Sequence, residues 1–425
     1  MFLKIKKLSE VCQINPPKKE AKQKLSESDL VSFVPMNNLG IGTKEIVLDE
    51  NRPFGEVVGS YTYFSENEVL LAKITPCFEN GKLGIARDLT NGIGFGSSEY
   101  VVFRSKGEIE PDYLFYFLAR DSFKREGAHA MSGAVGHKRV SKEFIANYLV
   151  PVPSIAEQKR IVALLDEVFE GIDGAIANTE KNLANACELF ESYLNATFTR
   201  KGDDWIEKRL DRICSIKHGF AFKGEFFTNE ETDYIVLTPG SFYESGGYRE
   251  QGPKTKYYTG EIPEDYTLNE GDFLFAMTEQ AVGLLGSSLI VPESDRFLHN
   301  QRLGLVQVFD DVAWHNDFFF HQFNTTRFRA DVQDSASGAK VRHTSPKKLG
   351  AISVCFPPTV QAQKQVSDKL NALHAETQRL EAIYQQKIAA LNELKQSILQ
   401  KAFTGELTAE AGDRAVEGAK EVVAA

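Results

Sequence analysis

The chain has 425 residues, 42% apolar and 25% charged, with a formal net charge of −10. That is enough for two or more domains with substantial cores, in an ordinary water-soluble composition. The acidic balance excludes a simple polycation that coats nucleic acid, and no apolar run approaches the eighteen residues of a membrane span.

The opening MFLKIKKLSE turns polar too soon for a signal peptide, so a cytoplasmic protein with no membrane partner is expected. The five cysteines Cys12, Cys77, Cys187, Cys214 and Cys355 are scattered and contain no C-x-x-C pair, which reads as reduced, small apolar residues.

Residues 1–150 alternate short apolar runs with Gly, Asn and Pro: VSFVPM, EVVGSYTYF, EVLLAKI, KLGIA and EYVVFR. These predict strands of a twisted sheet, followed by one helix over PDYLFYFLARDSFKREGA. The expected class is α+β.

Residues 151–202 predict one long helix. Ser154 stands three before Glu157, the pattern of a capping box. Apolar positions then follow three-and-four spacing through Ile161, Leu165, Val168, Ile172, Ile176, Thr179, Leu183, Ala186, Phe190, Tyr193 and Thr197, a coiled-coil seam with a stutter at Ile172–Ile176. At about 1.5 Å per residue the helix would be roughly 65–70 Å long, more than one small domain needs.

Residues 203–356 repeat the order of the first 150: LDRICSI, DYIVLTPGSF, DFLFAMTEQ, SSLIVPES, RLGLVQVF, then the helical WHNDFFFHQFNTTRFRADV. Most of the acidic excess lies here. Residues 357–407 predict a second long helix with a seam at Val366, Leu370, Leu373, Leu380, Tyr384, Ile388, Leu391, Leu394 and Ile398. Its cap is weaker, because Thr359 is followed three residues later by Ala362. Pro153, Gln158, Lys159, Leu165, Leu194, Phe198 and Thr199 recur as Pro358, Gln363, Lys364, Leu370, Leu399, Phe403 and Thr404, each displaced by 205 positions.

A duplicated unit is therefore expected: sheet domain, long helix, sheet domain, long helix. If the helices pair antiparallel, the two sheet domains are related by an approximate twofold within one chain, a geometry suited to two separated half-sites on duplex DNA. Residues 408–425, rich in Ala, Gly and Glu, are expected to fray.

Catalytic motifs are scarce. Asn15-Pro16-Pro17-Lys18 resembles the Asn-Pro-Pro-aromatic loop of adenine-amino methyltransferases, but Lys18 offers no ring to stack a flipped base. Gly92-Ile93-Gly94-Phe95-Gly96 lies between expected strands, where no helix N-terminus can take a phosphate. His315 and His321 lack metal-ligand spacing. No catalytic residue and no metal site is expected.

What remains are polar and basic clusters at loop tips, of the residue types that read base edges. In the first repeat these are Asn37 and Asn38, Lys73, the run Ser97, Ser98 and Glu99, and Lys138 with Arg139 beside His137. In the second they are His218 with Phe220 and Lys223, Gln280, then Asn300, Gln301 and Arg302 beside His299, and Arg342 with His343 beside Lys340.

Three stretches carry a family resemblance. They are the Pro153-to-Lys159 helix start with its copy Pro358 to Lys364, the closing KQSILQKAFTGEL of Lys395 to Leu407, and HGFAFK of His218 to Lys223. Over nearly its full length the chain resembles the specificity subunit of a type I restriction-modification system.

The resemblance implies two target-recognition domains (1–150 and 203–356), each reading half of a gapped site in double-stranded DNA, with the helices setting the gap. It also implies two docked methyltransferase subunits and a restriction/motor subunit, with S-adenosylmethionine and ATP bound by those partners and no cofactor on this chain. The alternatives are a DNA adenine methyltransferase or fused restriction enzyme, and a coiled-coil adaptor without DNA specificity.

Overall fold

The computed structural model describes residues 4–134, 136–279, 283–338 and 340–406. The expected fraying of 408–425 lies outside them. The chain divides into two compact units, one formed by residues up to Glu180 and from Gln386 on, the other by Lys181–Gln385. Each unit thus joins one sheet domain to a part of both long helices.

In the first unit a four-stranded antiparallel sheet runs in the spatial order Cys12–Ile14, Tyr100–Ser105, Val69–Ala72, Leu83–Ile85. Val69, Leu71, Val101 and Phe103 point to one face and join a core with Leu114, Phe117, Leu165, Ile172, Leu391 and Ile398. Leu70, Ala72, Tyr100 and Val102 point to the other face, into a core shared with Val34 and Phe64 of a second sheet. Burial on both faces explains why these strands read as unbroken apolar runs rather than alternating ones.

The second sheet is ordered Asn51–Pro53, Leu30–Val34, Ile93–Gly96, Thr62–Ser65, and Leu30–Val34 pairs in parallel with Ile93–Gly96. The glycine run of 92–96 starts at the end of a 3-10 turn, Thr90–Gly92, and continues as the strand Ile93–Gly96 of this sheet. A Cβ on Gly94 would lie 2.1 Å from the Phe64 ring and one on Gly96 2.4 Å from the Val34 carbonyl, so close packing accounts for both.

The second unit repeats the plan. Its antiparallel sheet runs Cys214–His218, Leu303–Val308, Phe273–Ala276, Ser288–Ile290, and its second sheet again contains a parallel pair, Ile235–Leu237 with Phe297–His299. Phe273 and Phe275 face the helix-side core with Phe318, Phe323, Leu194 and Leu370, while Leu274 and Ala276 face the other.

The central helix spans Ile155–Arg200 and the C-terminal helix Val360–Thr404. At each start a hydroxyl caps the first turn: Ser154 Oγ accepts from Glu157 N at 3.3 Å, and Thr359 Oγ1 from Ala362 N at 3.2 Å. The Glu157 carboxylate of the expected capping box is held by Arg160, at 2.9 and 2.7 Å. Within the second unit the helices run antiparallel, since Cys187 meets Glu381 and Phe190 meets His374. In the first unit Asp173 meets Lys395 at 2.6 Å.

Four expectations need correction. The seam of the central helix does not continue to Tyr193 and Thr197: Tyr193 is 44% exposed, and Leu194 and Phe198 are buried against Phe318 and Trp205. There the helix packs on the second sheet domain, so four-residue steps from Phe190 keep one face inward. The C-terminal seam gains Thr377, buried between Leu373 and Leu380.

Each helix expected before a long helix is two helices. Pro111–Leu118 breaks from Asp121–His129 at Arg120, whose extended backbone lets Nε donate to Phe117 O. Asn316–Phe323 breaks from Thr326–Ser335 at Thr325, which caps the second by accepting from Phe328 N. Finally, EVVGSYTYF starts in the end of a helical turn, Phe54–Val57, and reaches a strand only at Thr62–Ser65.

Candidate nucleic-acid interface

In the first unit the parallel pairing of Leu30–Val34 with Ile93–Gly96 sends both strands out at the same end, Val34 opposite Gly96. Asn37 and Asn38 follow the first in a tight turn, Met36–Asn38, and Ser97, Ser98 and Glu99 follow the second. The Tyr100 hydroxyl ties the two exits by donating to Pro35 O at 2.9 Å.

Ala72 lies opposite Tyr100, which brings Lys73 to the same place: its N–H donates to Glu99 O at 2.9 Å and its Nζ to Ser98 O at 2.8 Å. The segment Lys138–Val140 then closes over Lys73 and Thr75 through Val140 N to Lys73 O and Thr75 N to Lys138 O. All four clusters of the first repeat therefore converge at one end of the sheets.

Their side chains are not equally free. Asn37, Ser98, Lys138 and Arg139 are exposed. Asn38 is occupied within its own loop, donating to Val47 O at 3.1 Å and to Asp49. Arg139 grips Glu99 with two hydrogen bonds, of 2.9 and 2.8 Å, which hold the Glu99 carboxyl below the usual carboxylate range against the opposing pull of burial. Burial pushes the Lys73 ammonium down, partly offset by Glu99.

In the second unit His218 ends its strand opposite Gly304. Gly219 comes so close to the neighbouring chain that a Cβ would lie 2.2 Å from Asn300 O, so only glycine fits. Phe220 then pairs with Asn300: its N–H donates to His299 O at 2.8 Å, and its O accepts from Gln301 N at 2.9 Å. Asn300 Oδ1 accepts from Arg302 N at 3.0 Å.

Thr344 N donates to Met277 O, so the segment with Arg342 and His343 reaches the end of Phe273–Ala276 much as Val140 reaches Lys73. Arg342 lies opposite Glu279 and donates from Nη2 to Gln333 O at 2.6 Å. His343 Nε2 lies 3.2 Å from Ser337 Oγ. Exposed Lys223 precedes the turn Gly224–Phe226. Gln280 lies outside the described residues.

Two of these side chains are engaged within the protein. The Phe220 ring packs against Phe222 and Tyr266, with centroids 5.2 and 5.3 Å away. His299 is fully buried, with Nε2 on Leu303 O and Nδ1 without a partner among the described residues, and burial pushes it down to about 4.

Sequence patterns missed Arg329. Largely buried, it donates to Leu285 O, Glu244 O, Asn324 Oδ1 and Gly283 O, clamping a loop of the second unit, and burial pushes it down to about 10. Its only sequence signal was an Arg on the apolar side of a helix.

Asn15 and Lys18 serve the fold. Asn15 Oδ1 accepts from Val102 N at 3.0 Å, and Lys18 Nζ donates to Val58 O and Gly59 O. Among the described residues no helix is long and apolar enough to cross a membrane, and no group of three or more His, Cys, Asp or Glu is placed to hold a metal ion.

A family model for the type I restriction modification DNA specificity domain matches residues 3–184 and again residues 202–390, once for each repeat. The chain belongs to this family.

Two Escherichia coli relatives of the specificity family, the type I restriction enzyme EcoEI and EcoAI specificity subunits, are 36% and 35% identical over 193 and 213 residues. Those alignments cover 45% and 48% of this chain but only 32% and 34% of the relatives, so the chain matches about a third of their length. The MjaVIII specificity subunit of Methanocaldococcus jannaschii is 22% identical over 390 residues, 86% of this chain and 81% of that one.

Among solved structures, a chain from a study of complex assembly and conformational transition of the type I R-M system superposes with a TM-score of 0.77 at 17% identity, covering 95% of this chain and 99% of that one. The HsdS subunit from Thermoanaerobacter tengcongensis gives 0.58 at 18%, covering 95% and 97%. At these identities the likeness speaks for the shared specificity-subunit fold.

Proposed function

We propose that this chain is the non-catalytic specificity subunit of a type I restriction-modification complex acting in the cytoplasm. Each repeat reads one half of a gapped, bipartite site in double-stranded DNA. Two methyltransferase subunits dock around the long helices, and a restriction/motor subunit joins for cleavage. S-adenosylmethionine and ATP are bound by those partners, and this chain contributes no cofactor.

The observation that carries the reading is the repetition of one loop cluster. In each family-matched half, polar side chains from segments far apart in sequence are gathered at one end of a sheet domain, as two half-sites require. Asn, Arg, Lys and Ser at such tips supply the donors and acceptors that distinguish base pairs in the major groove. The net charge of −10 suits a division of labour in which partners provide much of the phosphate neutralisation and this chain the base contacts.

Methylome sequencing of a host expressing this chain with and without its companion methyltransferase tests the reading. A gapped bipartite N6-methyladenine motif that needs both proteins is the expected result. Methylation by this chain alone would make it an enzyme, and no new motif in either case would leave an adaptor.

A further inference from the structure

We propose that Arg139 reads a guanine in the half-site of the first repeat and that Glu99 is its positioning residue, contacting no base itself. This inference rests on the DNA-reading function proposed above and assigns part of its specificity to one pair of side chains.

The guanidinium has five N–H donors. Glu99 takes the Nε and Nη2 edge, at 2.9 and 2.8 Å, and His137 O takes one Nη1 hydrogen at 3.1 Å. Among the described residues this leaves one donor over on each terminal nitrogen, a two-pronged fork of the kind that matches guanine O6 and N7.

The fork is also presented outward. The Arg139 side chain is 46% exposed while that of Glu99 is 22%, so the acid lies beneath the base. Both backbones are anchored: Glu99 O accepts from Lys73 N, and the Arg139 residue bridges to Ile74 between the Lys138 and Val140 hydrogen bonds. An unpaired surface arginine would lose rotamer freedom on binding, and here the bidentate clamp has already removed much of it.

Charge argues for a base rather than the backbone as the target. Glu99, whose carboxylate also lies 3.9 Å from Lys73 Nζ, offsets part of the guanidinium charge and weakens it as a partner for a phosphate, whereas the uncharged acceptor edge of guanine is read through the geometry of the fork. Lys138, adjacent and exposed, is the better phosphate ligand. The carboxylate is charged throughout the neutral range, because Arg139 holds its proton affinity down.

The test is the methylome of a host carrying the complete chain, its companion methyltransferase, and in turn wild type, Arg139→Lys and Glu99→Gln. Lysine keeps the charge and loses the fork, and glutamine keeps the shape and loses the ionic clamp. Both variants should relax one G·C position of one half-site by roughly five- to a hundred-fold in relative methylation, with the other half-site and the gap unchanged. The untouched half-site reports that the variant is folded and assembled.

An unchanged motif in both variants overturns the proposal, since a phosphate contact would survive the lysine substitution, as does a uniform but incomplete loss over all sites in both variants. Should Arg139→Lys abolish methylation altogether, Glu99→Gln decides, since relaxation at one G·C position supports the pair and an intact motif sinks it. Failure of the wild type to yield any gapped motif would instead count against the function proposed above.

Discussion

Gln158 and Gln363, displaced by 205 positions and both fully buried, each make three hydrogen bonds in their respective units, two of them to partners also displaced by 205. Gln158 Nε2 donates to Glu108 O and Pro153 O, each at 2.9 Å, and its Oε1 accepts from Glu110 N at 2.8 Å. Gln363 Nε2 donates to Ala313 O and Pro357 O at 2.9 and 3.0 Å, and its Oε1 accepts from His315 N at 2.8 Å. Each glutamine thereby fastens the first turn of a long helix to the loop that follows a sheet strand.

Replacing either glutamine by leucine leaves two carbonyls and one N–H without their partner, so each variant should lose about 3 kcal/mol of stability. Urea unfolding measures it. Both tryptophans, Trp205 and Trp314, belong to the second unit, so for Gln363→Leu their fluorescence reports the affected unit directly. A loss below about 0.5 kcal/mol, the size of an ordinary surface change, would show that the bonds are dispensable.

The second unit should be the acid-sensitive one. His299, His321 and His374 are all pushed below the ordinary histidine range, first by burial, His299 to about 4. A histidine depressed in the folded state is neutral there while the unfolded chain takes up a proton below pH 6.5. Stability is therefore fully present above about 6.5 and falls as pH drops towards 4. Tryptophan fluorescence during urea titrations at pH 7 and pH 5 should show the loss, and His299→Gln should flatten the dependence. A pH-independent midpoint over that window would refute it.

Lys223 and Phe220 are neighbours in sequence with opposite expected effects. Lys223→Ala removes an exposed cation, so the salt dependence of DNA binding by the assembled complex should weaken by about one ion while the methylated motif is retained. Phe220→Ala opens the ring contacts to Phe222 and Tyr266 and should lower stability by about 1–3 kcal/mol. A motif change with Lys223→Ala, or unaltered stability with Phe220→Ala, would reverse these assignments.

If the paired helices set the gap, adding one heptad to each should lengthen the tolerated spacing. The increment is about 10 Å of helix, or roughly three base pairs, with both half-sites unchanged. Methylome sequencing of the variant reads spacing and half-sites together. An unaltered gap would remove the helices from that role.

The long helices and the duplication were legible because their signals are local and repeated: a hydroxyl at each cap, a periodic apolar stripe, and an ungapped register over some fifty residues. The errors came where packing overrides periodicity. Tyr193 and Thr197 continue the heptad, yet Leu194 and Phe198 are buried because there the helix packs on the second sheet domain as well as on the other long helix. Arg120 and Thr325 end helices inside otherwise helical patterns, and no Gly or Pro announces either break.

Residue types and spacing by themselves determined the α+β class, the two repeats, the helix starts and the polar clusters, since each depends on neighbours within a turn or a strand. Tertiary structure alone decided which of those clusters meet. Asn37, Lys73, Ser98 and Arg139 converge only because Leu30–Val34 pairs in parallel with Ile93–Gly96 and because Lys73 and Val140 share a hydrogen bond across 67 positions. It also decided that Glu99 holds Arg139 while Arg139 still faces solvent. Ladder partners and ion pairs are chosen by three-dimensional proximity, and local sequence carries no record of that distance.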